Sequence, residues 1–274
     1  MNDSRLSDAL HIPGKFRRKV AKVAALLFTG ALGLLCVVPA VHADSELGEY
    51  INDYVVYSPY VVQGQSEVEL RASAYRDSSL VLDDLNGQVL SVAHSFTDWW
   101  KTELYLGEYL QIPRQPSNLV AYELENTFQL ASPGKYWADP GFLFSYEFAT
   151  HSAEPNELEF GPLFEKRSGR FVQRLNLIWE KEIGTGADHG YEFRSGYSIS
   201  YQIRPWFAPG LEAYFRPGSN TSPGTNAYQL GPVLYGEYAY GAGNELEYSA
   251  GVVFGMNPHA PDMTFMMRLE YEFF

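Results

Sequence analysis

Cysteine is almost missing from this 274-residue chain: the single copy is Cys36. A disulfide-stapled scaffold and a thiolate metal site are both excluded on that count. Histidine is scarce too, with six copies and no pair at a metal-ligand spacing. Basic side chains are outnumbered, 20 Lys and Arg against 33 Asp and Glu, for a formal net charge of −13. So acidic a surface makes nucleic acid an unfit partner. Beyond residue 43 there is no long apolar run and no apolar stripe at the 3.6-residue period of a helix. What is plentiful is aromatic: 20 Tyr, 17 Phe and 5 Trp, a load that excludes disorder.

The first 43 residues need their own account. Lys15, Arg17, Arg18, Lys19 and Lys22 precede an apolar stretch of 16 residues, Val23 to Val38, followed by Pro39 and the small-residue ending Val41-His42-Ala43. A basic start, an apolar middle and a small-residue end describe an export signal cleaved before Asp44. The stretch falls short of the ~20 residues of a spanning helix. Leu35 ahead of Cys36 does not suit lipoprotein processing. This leader carries six basic and two acidic residues, which leaves 14 basic and 31 acidic in the remainder, a net of −17. The remainder has no cysteine.

From residue 66 onward the chain alternates with period two. Tyr191, Phe193, Tyr197, Ile199, Tyr201 and Ile203 interleave with Glu192, Arg194, Ser198, Ser200, Gln202 and Arg204. A strand sorts such a list into two faces automatically, and a helix cannot. Twelve segments of this kind are expected, at 66–76, 88–96, 99–109, 119–130, 141–149, 157–165, 171–183, 191–203, 210–216, 227–240, 244–254 and 264–274. The 231 residues beyond the leader allow about 19 for each strand with its connection, of which a tilted membrane strand takes ~9–11. Gaps after the odd-numbered segments are rich in Gly, Pro, Asn, Ser and Asp, and the intervening ones are tighter, as short periplasmic turns and longer outer loops require. The gap from Ser132 to Pro140 breaks that rule.

The expected fold is all-β: a transmembrane antiparallel up-and-down β-barrel of about 12 strands with a short N-terminal periplasmic segment, lying in the cell outer membrane. Its domains are a signal peptide at 1–43, a periplasmic segment or plug at 44–65, and the barrel at 66–274. A soluble sandwich or lipocalin-like barrel alternates equally well. The aromatic apolar face and the glutamate-rich polar face favour lipid outside and water inside. Trp99, Trp100, Trp137 and Trp206 fall at the expected periplasmic ends and Trp179 toward the outer end, as an interfacial aromatic girdle would place them. Tyr271, Phe273 and Phe274 end the last strand and resemble the signal read by barrel-assembly machinery. Pro162 and Pro232 fall within strands, where each removes a ladder donor; a bulge or a strand end near an interface would accommodate either.

Several phrases carry a resemblance. They are Tyr57-Ser58-Pro59-Tyr60-Val61 ahead of Glu67-Val68-Glu69-Leu70-Arg71, Trp100-Lys101-Thr102-Glu103, Phe160-Gly161-Pro162-Leu163-Phe164, Gly231-Pro232-Val233-Leu234-Tyr235 and Leu269-Glu270-Tyr271-Glu272-Phe273. From about Val56 onward the chain resembles the outer-membrane proteins grouped with the porin-like "meta-pathway of phenol degradation" transporters. That resemblance implies a single-chain barrel with a transport role and names no solute.

The polar parity places Glu69, Arg71, Glu103, Glu123, Glu125, Glu147, Arg174, Glu180, Arg194, Glu212, Glu247, Arg268 and Glu270 among the lumen-lining residues. Counted over every strand, acids exceed bases in that lumen, and a water-filled cavity would then favour cations. Pairing of Glu with Arg across a narrow lumen would instead close it. The reading that follows is a passive channel or transporter for small solutes, possible organic ones included, with outer-membrane lipid, barrel-assembly machinery and the solutes as its partners. A non-conducting structural or surface-interaction barrel is the alternative. An outer-membrane hydrolase is a distant third, because His151-Ser152 and Asp188-His189 reproduce no barrel-enzyme motif. No catalytic residue, cofactor or metal is assigned.

Overall fold

A computed structural model describes residues 51–274, apart from 79–82, 113, 115, 218–225 and 242. The export signal, residues 44–50 and most of the loop from Arg216 to Gly224 lie outside the described residues.

Twelve strands run in chain order: β1 Ser66–Arg76, β2 Asn86–Ser95, β3 Trp100–Gln111, β4 Asn118–Gln129, β5 Asp139–Ala149, β6 Asn156–Ser168, β7 Phe171–Ile183, β8 Glu192–Tyr201, β9 Ala208–Arg216, β10 Ala227–Tyr240, β11 Asn244–Gly255 and β12 Met263–Phe273. Each pairs antiparallel with its chain neighbours, and β1 closes the ring against β12, from Ser66↔Phe273 to Arg76↔Met263. Closure leaves no unpaired edge, which a strand crossing hydrocarbon cannot carry.

Alternation decides which side is which. In β1, Glu67, Glu69, Arg71, Ser73 and Tyr75 are buried, while Val68, Leu70, Ala72 and Ala74 lie on the opposite face. Leu104, Leu124, Phe144, Leu230 and Phe265 stand exposed on the outer wall. The charged side is inside and the apolar side outside, the reverse of a soluble barrel and the arrangement a lipid environment requires.

One end of the barrel carries the connections 96–99, 130–138, 169–170, 202–207 and 241–243, which apart from 130–138 are two to six residues long. The opposite end carries six connections, at 77–85, 112–117, 150–155, 184–191, 217–226 and 256–262. These are called the short-turn end and the loop end below.

Two strand expectations need correction. Neither Gly-Pro pair makes a bulge or ends a strand. The β6–β7 pairing stops at Phe160↔Trp179 and resumes at Leu163↔Asn176 in unchanged register, and β10–β11 does the same between Leu230↔Phe254 and Val233↔Gly251. The ladder is interrupted there without an inserted residue. A Cβ on Gly161 would lie 1.9 Å from the Leu177 carbonyl oxygen, so glycine permits a close approach at the very place where proline withdraws a donor. The real bulge is in β3: register against β2 shifts between Leu90 and Ser91, and against β4 between Tyr105 and Glu108.

The remaining element lies within the wall. Ile51 packs against Tyr75, Leu85 and Leu110 at the loop end. Tyr57 rests on Leu143, Leu163 and Ile178. The Val61 amide donates to Gln129 Oε1 at 2.9 Å, and the Gly64 amide to the Ser95 carbonyl at 2.8 Å, at the short-turn end. Residues 51–61 therefore pass along the inside of the barrel before the chain reverses into β1. The sequence left a periplasmic segment and a plug open for 44–65; residues 51–61 are found inside.

Candidate functional site

The lumen wall has an order that follows from strand register. Pairing places Glu245, Glu272, Glu67, Ala93, Glu103, Glu125, Ser145, Glu159, Glu180 and Glu192 side by side across β11, β12 and β1 to β8. A second row runs beside it: Glu237, Glu247, Glu270, Glu69, Ser91, Tyr105, Glu123, Glu147, Glu157 and Glu182. Both start near the short-turn end and finish near the loop end, so two lanes of carboxylates climb the wall as a spiral. Like charges directly opposite one another are destabilising, and more so away from water.

Cations and hydroxyls answer that repulsion. Arg268 donates to both Glu69 and Glu270, and Arg71 Nε lies 3.0 Å from Glu69 Oε1. Lys101 reaches Glu67 at 2.8 Å. Arg194 donates to Glu180 and, at 2.6 Å, to Glu159. Arg174 and Arg167 share Glu165 at 2.8 and 2.6 Å. Glu125 accepts from the Tyr105 hydroxyl at 2.9 Å, Glu103 from Ser91, and Glu212 from Tyr214 and Tyr235. Of the sequence-expected lumen residues, Glu147 and Glu247 are half-buried and sit toward opposite ends. The others are drawn into this network, apart from Glu123, which is buried beside it.

The inner segment is tied into the same network. Asp53 pairs with Arg216, which also holds Glu180 at 2.8 Å. Asn52 donates to Glu108 at 3.0 Å, and the Tyr54 hydroxyl to Gln229 at 2.7 Å. The Asn176 amide grips the backbone of Tyr57 twice, accepting from its N–H at 2.6 Å and donating to its carbonyl at 3.1 Å. Ser58 donates to Glu165 at 2.8 Å and Tyr60 to Asp139 at 2.6 Å. Burial and the Asp139 acceptor push the Tyr60 phenol upward, so it stays a donor. Gly141 makes room for this passage, since a Cβ there would lie 2.5 Å from Pro59 Cβ.

Strict alternation misses Asp53 and Glu108, whereas Glu165, absent from the expected set, lies on the same parity of β6 as Glu157 and Glu159. The bulge moves the inward parity of β3 from odd to even positions, which brings Glu108 and Leu110 inside after Glu103 and Tyr105. The Gly107 following Tyr105-Leu106 is the one local sign of it.

The segment does not fill the whole lumen. A cavity of about 120 Å³ remains between Tyr54–Val56 and the wall made by β7 to β12, lined by Arg174, Glu212, Tyr235, Glu247, Met266 and Arg268 among others. Glu123 and Glu125 are not on it.

At the rims, Trp99, Trp100, Trp137 and Trp206 lie at the short-turn end, with Trp99 stacked on Phe128, while Trp179 stacks on Phe160 in β7. Tyr271 and Phe273 stack at 5.8 Å, and Phe274 is exposed. His151 contacts Thr150 and Glu154, and Asp188-His189 belongs to a different connection. Ser66 Oγ and His94 Nδ1 lie 2.9 Å apart, a nucleophile–base contact not anticipated from the sequence. The ring packed against His94 is Phe96, and among the described residues no carboxylate pairs with the imidazole to orient it, as nucleophilic catalysis would need. Among the described residues, three glutamate trios have oxygens close enough for a cation; Arg194 already bridges two members of the trio Glu157, Glu159 and Glu180.

No family model and no curated protein matches this chain. Solved structures do. The translocator domain of the autotransporter NalP from Neisseria meningitidis superposes with a TM-score of 0.50 at 11% identity, over 84% of this chain and 94% of that one. An outer membrane channel from Pseudomonas putida F1 gives 0.49 at 12% identity, over 80% and 98%. The Acinetobacter baumannii outer membrane protein Omp33 gives 0.42 at 10%, over 77% and 98%. The fold is that of a bacterial outer-membrane β-barrel. At such identities the likeness is one of fold.

Proposed function

We propose that this barrel is a narrow passive channel of the outer membrane for small solutes, with residues 51–61 as a resident plug and the path running beside it along β7 to β12. The observation that carries the reading is the polar cavity left between the segment and that wall. Arg167, Arg174 and Arg268 face it together with Glu212, Glu237 and Glu247. Acids and bases balance there, although glutamate dominates the lumen as a whole. Small neutral or zwitterionic organic compounds suit such a lining better than a simple cation would. The short-turn end then faces the periplasm, residues 1–43 direct export, the tryptophans sit at the interfaces, and the exposed aromatics ending β12 are read by assembly machinery.

Purified protein in a planar bilayer tests the channel. The wild type should give small conductance steps. Tyr57→Ala, which takes a half-buried ring from the Leu143–Leu163–Ile178 cluster, should give larger ones, because the segment loses part of the ~3–5 kcal/mol that truncating a fully buried aromatic costs. Silence from both proteins overturns the proposal. It would favour the second reading, a non-conducting barrel closed by the same anchors.

A further inference from the structure

Cations inside the barrel and cations at its short-turn end are treated differently. Arg71, Lys101, Arg174, Arg194, Arg216 and Arg268 each lie within ion-pair distance of a carboxylate. Lys135 in the connection 130–138, Lys166 near the end of β6, Arg170 in the turn 169–170 and Arg204 in the connection 202–207 make no ion pair among the described residues. Carboxylates are not in short supply here, since acids outnumber bases two to one beyond the leader. The connections that carry these four cations join β4 through β9, so they occupy one continuous arc of the rim.

Aromatic rings take the place of the missing carboxylates. Lys166 Nζ stands 5.7 Å from the Trp137 ring and Lys135 Nζ 5.3 Å from Tyr136; Arg167, which keeps its ion pair with Glu165, also stands 5.0 Å from Tyr60. Trp137 is 82% exposed, a large apolar area to leave in water and a normal one at the level of lipid headgroups. Between the 130–138 connection and the end of β6 lies a hollow of about 220 Å³, lined by Tyr60, Gly134, Tyr136, Trp137, Lys166 and Arg167 together with Pro133 and Asp139. Asp139 leaves the two lysines to an incoming anion: it pairs with neither, and its oxygens accept from the Tyr60 hydroxyl and the Gly134 amide, each at 2.6 Å. The connection that makes this hollow is also the one long member of the short-turn end, and the hollow accounts for its length.

We propose that this hollow binds the phosphate of an anionic glycerophospholipid in the periplasmic leaflet. Lys166 faces the phosphate, Lys135 stands beside it, and Trp137 and Tyr136 lie at headgroup depth; Arg167, at the inner edge of the hollow, is already paired with Glu165. Two free lysines next to amphipathic rings supply what such a headgroup offers: charge to neutralise and an interface to sit in. The inference rests on the orientation given above, with the short-turn end toward the periplasm, and is independent of whether the lumen conducts.

Full-length barrel in phosphatidylcholine nanodiscs, doped with a minor fraction of bromine-labelled lipid, tests it. Tryptophan quenching is read for the wild type and for Trp137→Phe, and the difference isolates Trp137. Brominated phosphatidylglycerol should quench Trp137 several-fold more than brominated phosphatidylcholine. Each lysine removed in Lys135→Gln and Lys166→Gln should weaken that preference roughly five-fold. Heat-modifiable migration on gels checks that the variants remain folded; if the double variant does not, Lys135→Gln alone, in an exposed turn, carries the measurement. Equal quenching by the two lipids overturns the headgroup site. So does loss of the preference on adding soluble glycerophosphate at the lipid's concentration, which would mark a free-anion site. No quenching of Trp137 by either lipid would put the ring away from the bilayer and overturn the site as well.

Discussion

Arg194 sits at the centre of three carboxylates. It holds Glu180 and Glu159 and lies 3.8 Å from Asp53, with its own side chain only 10% exposed. Deleting one member of a buried charge group leaves the others uncompensated, at ~3–5 kcal/mol. Arg194→Ala should therefore destabilise the barrel by about that amount, read as a lower urea midpoint or a lower temperature of the heat-modifiable gel shift. Replacing Arg76, which pairs with Asp84 at the loop end with both side chains about half exposed, should cost under ~1 kcal/mol. Equal losses would mean that the interior is wet enough to screen its charges. At this scale the sequence was partly legible. Parity alone put Arg194, Glu180 and Glu159 on the same face, but nothing in a linear pattern announces that Asp53, more than a hundred residues away, comes to the same knot.

At the scale of the element, the strands were the most readable feature. Periodicity located all twelve, with ends that differ from those observed by at most three residues, as in β6, which runs on to Ser168. The reason is physical: a wall one residue thick between lipid and lumen imposes polarity position by position. Where the wall departs from a regular ladder, the pattern failed. The β3 bulge inverted the parity of Glu108, and the Gly-Pro pairs, expected as bulges or ends, are interruptions in constant register. The faces themselves are open to test. Tyr197→Arg on the outer wall of β8 should cost ~2–4 kcal/mol in a lipid-refolding assay, against much less for an arginine at the neighbouring lumen position Ser198. Similar costs would reverse inside and outside.

For the molecule as a whole, orientation is the property on which the proposals lean. The chain beyond residue 43 has no cysteine, so in a Cys36→Ser background each introduced thiol is unique. On intact cells an impermeant maleimide should label His259→Cys, which is exposed at the loop end, and should spare Gln63→Cys, which is exposed at the short-turn end, until the outer membrane is permeabilised. The opposite pattern would turn the barrel over. Residues 51–65 were the least legible part, because their apolar and aromatic side chains find partners on β1, β3, β5 to β7 and β10 to β12, none of them near in sequence.

The path of residues 51–61 also constrains the order of construction. This stretch enters at one rim, leaves at the other, and continues directly into the first stave of the wall. A cylinder already sealed could admit it only by drawing the free amino end through the bore from rim to rim. Closing the seam of β1 against β12 around a strand already in place avoids that journey, and a bulky folded domain fused ahead of Ile51 would make the alternative impassable.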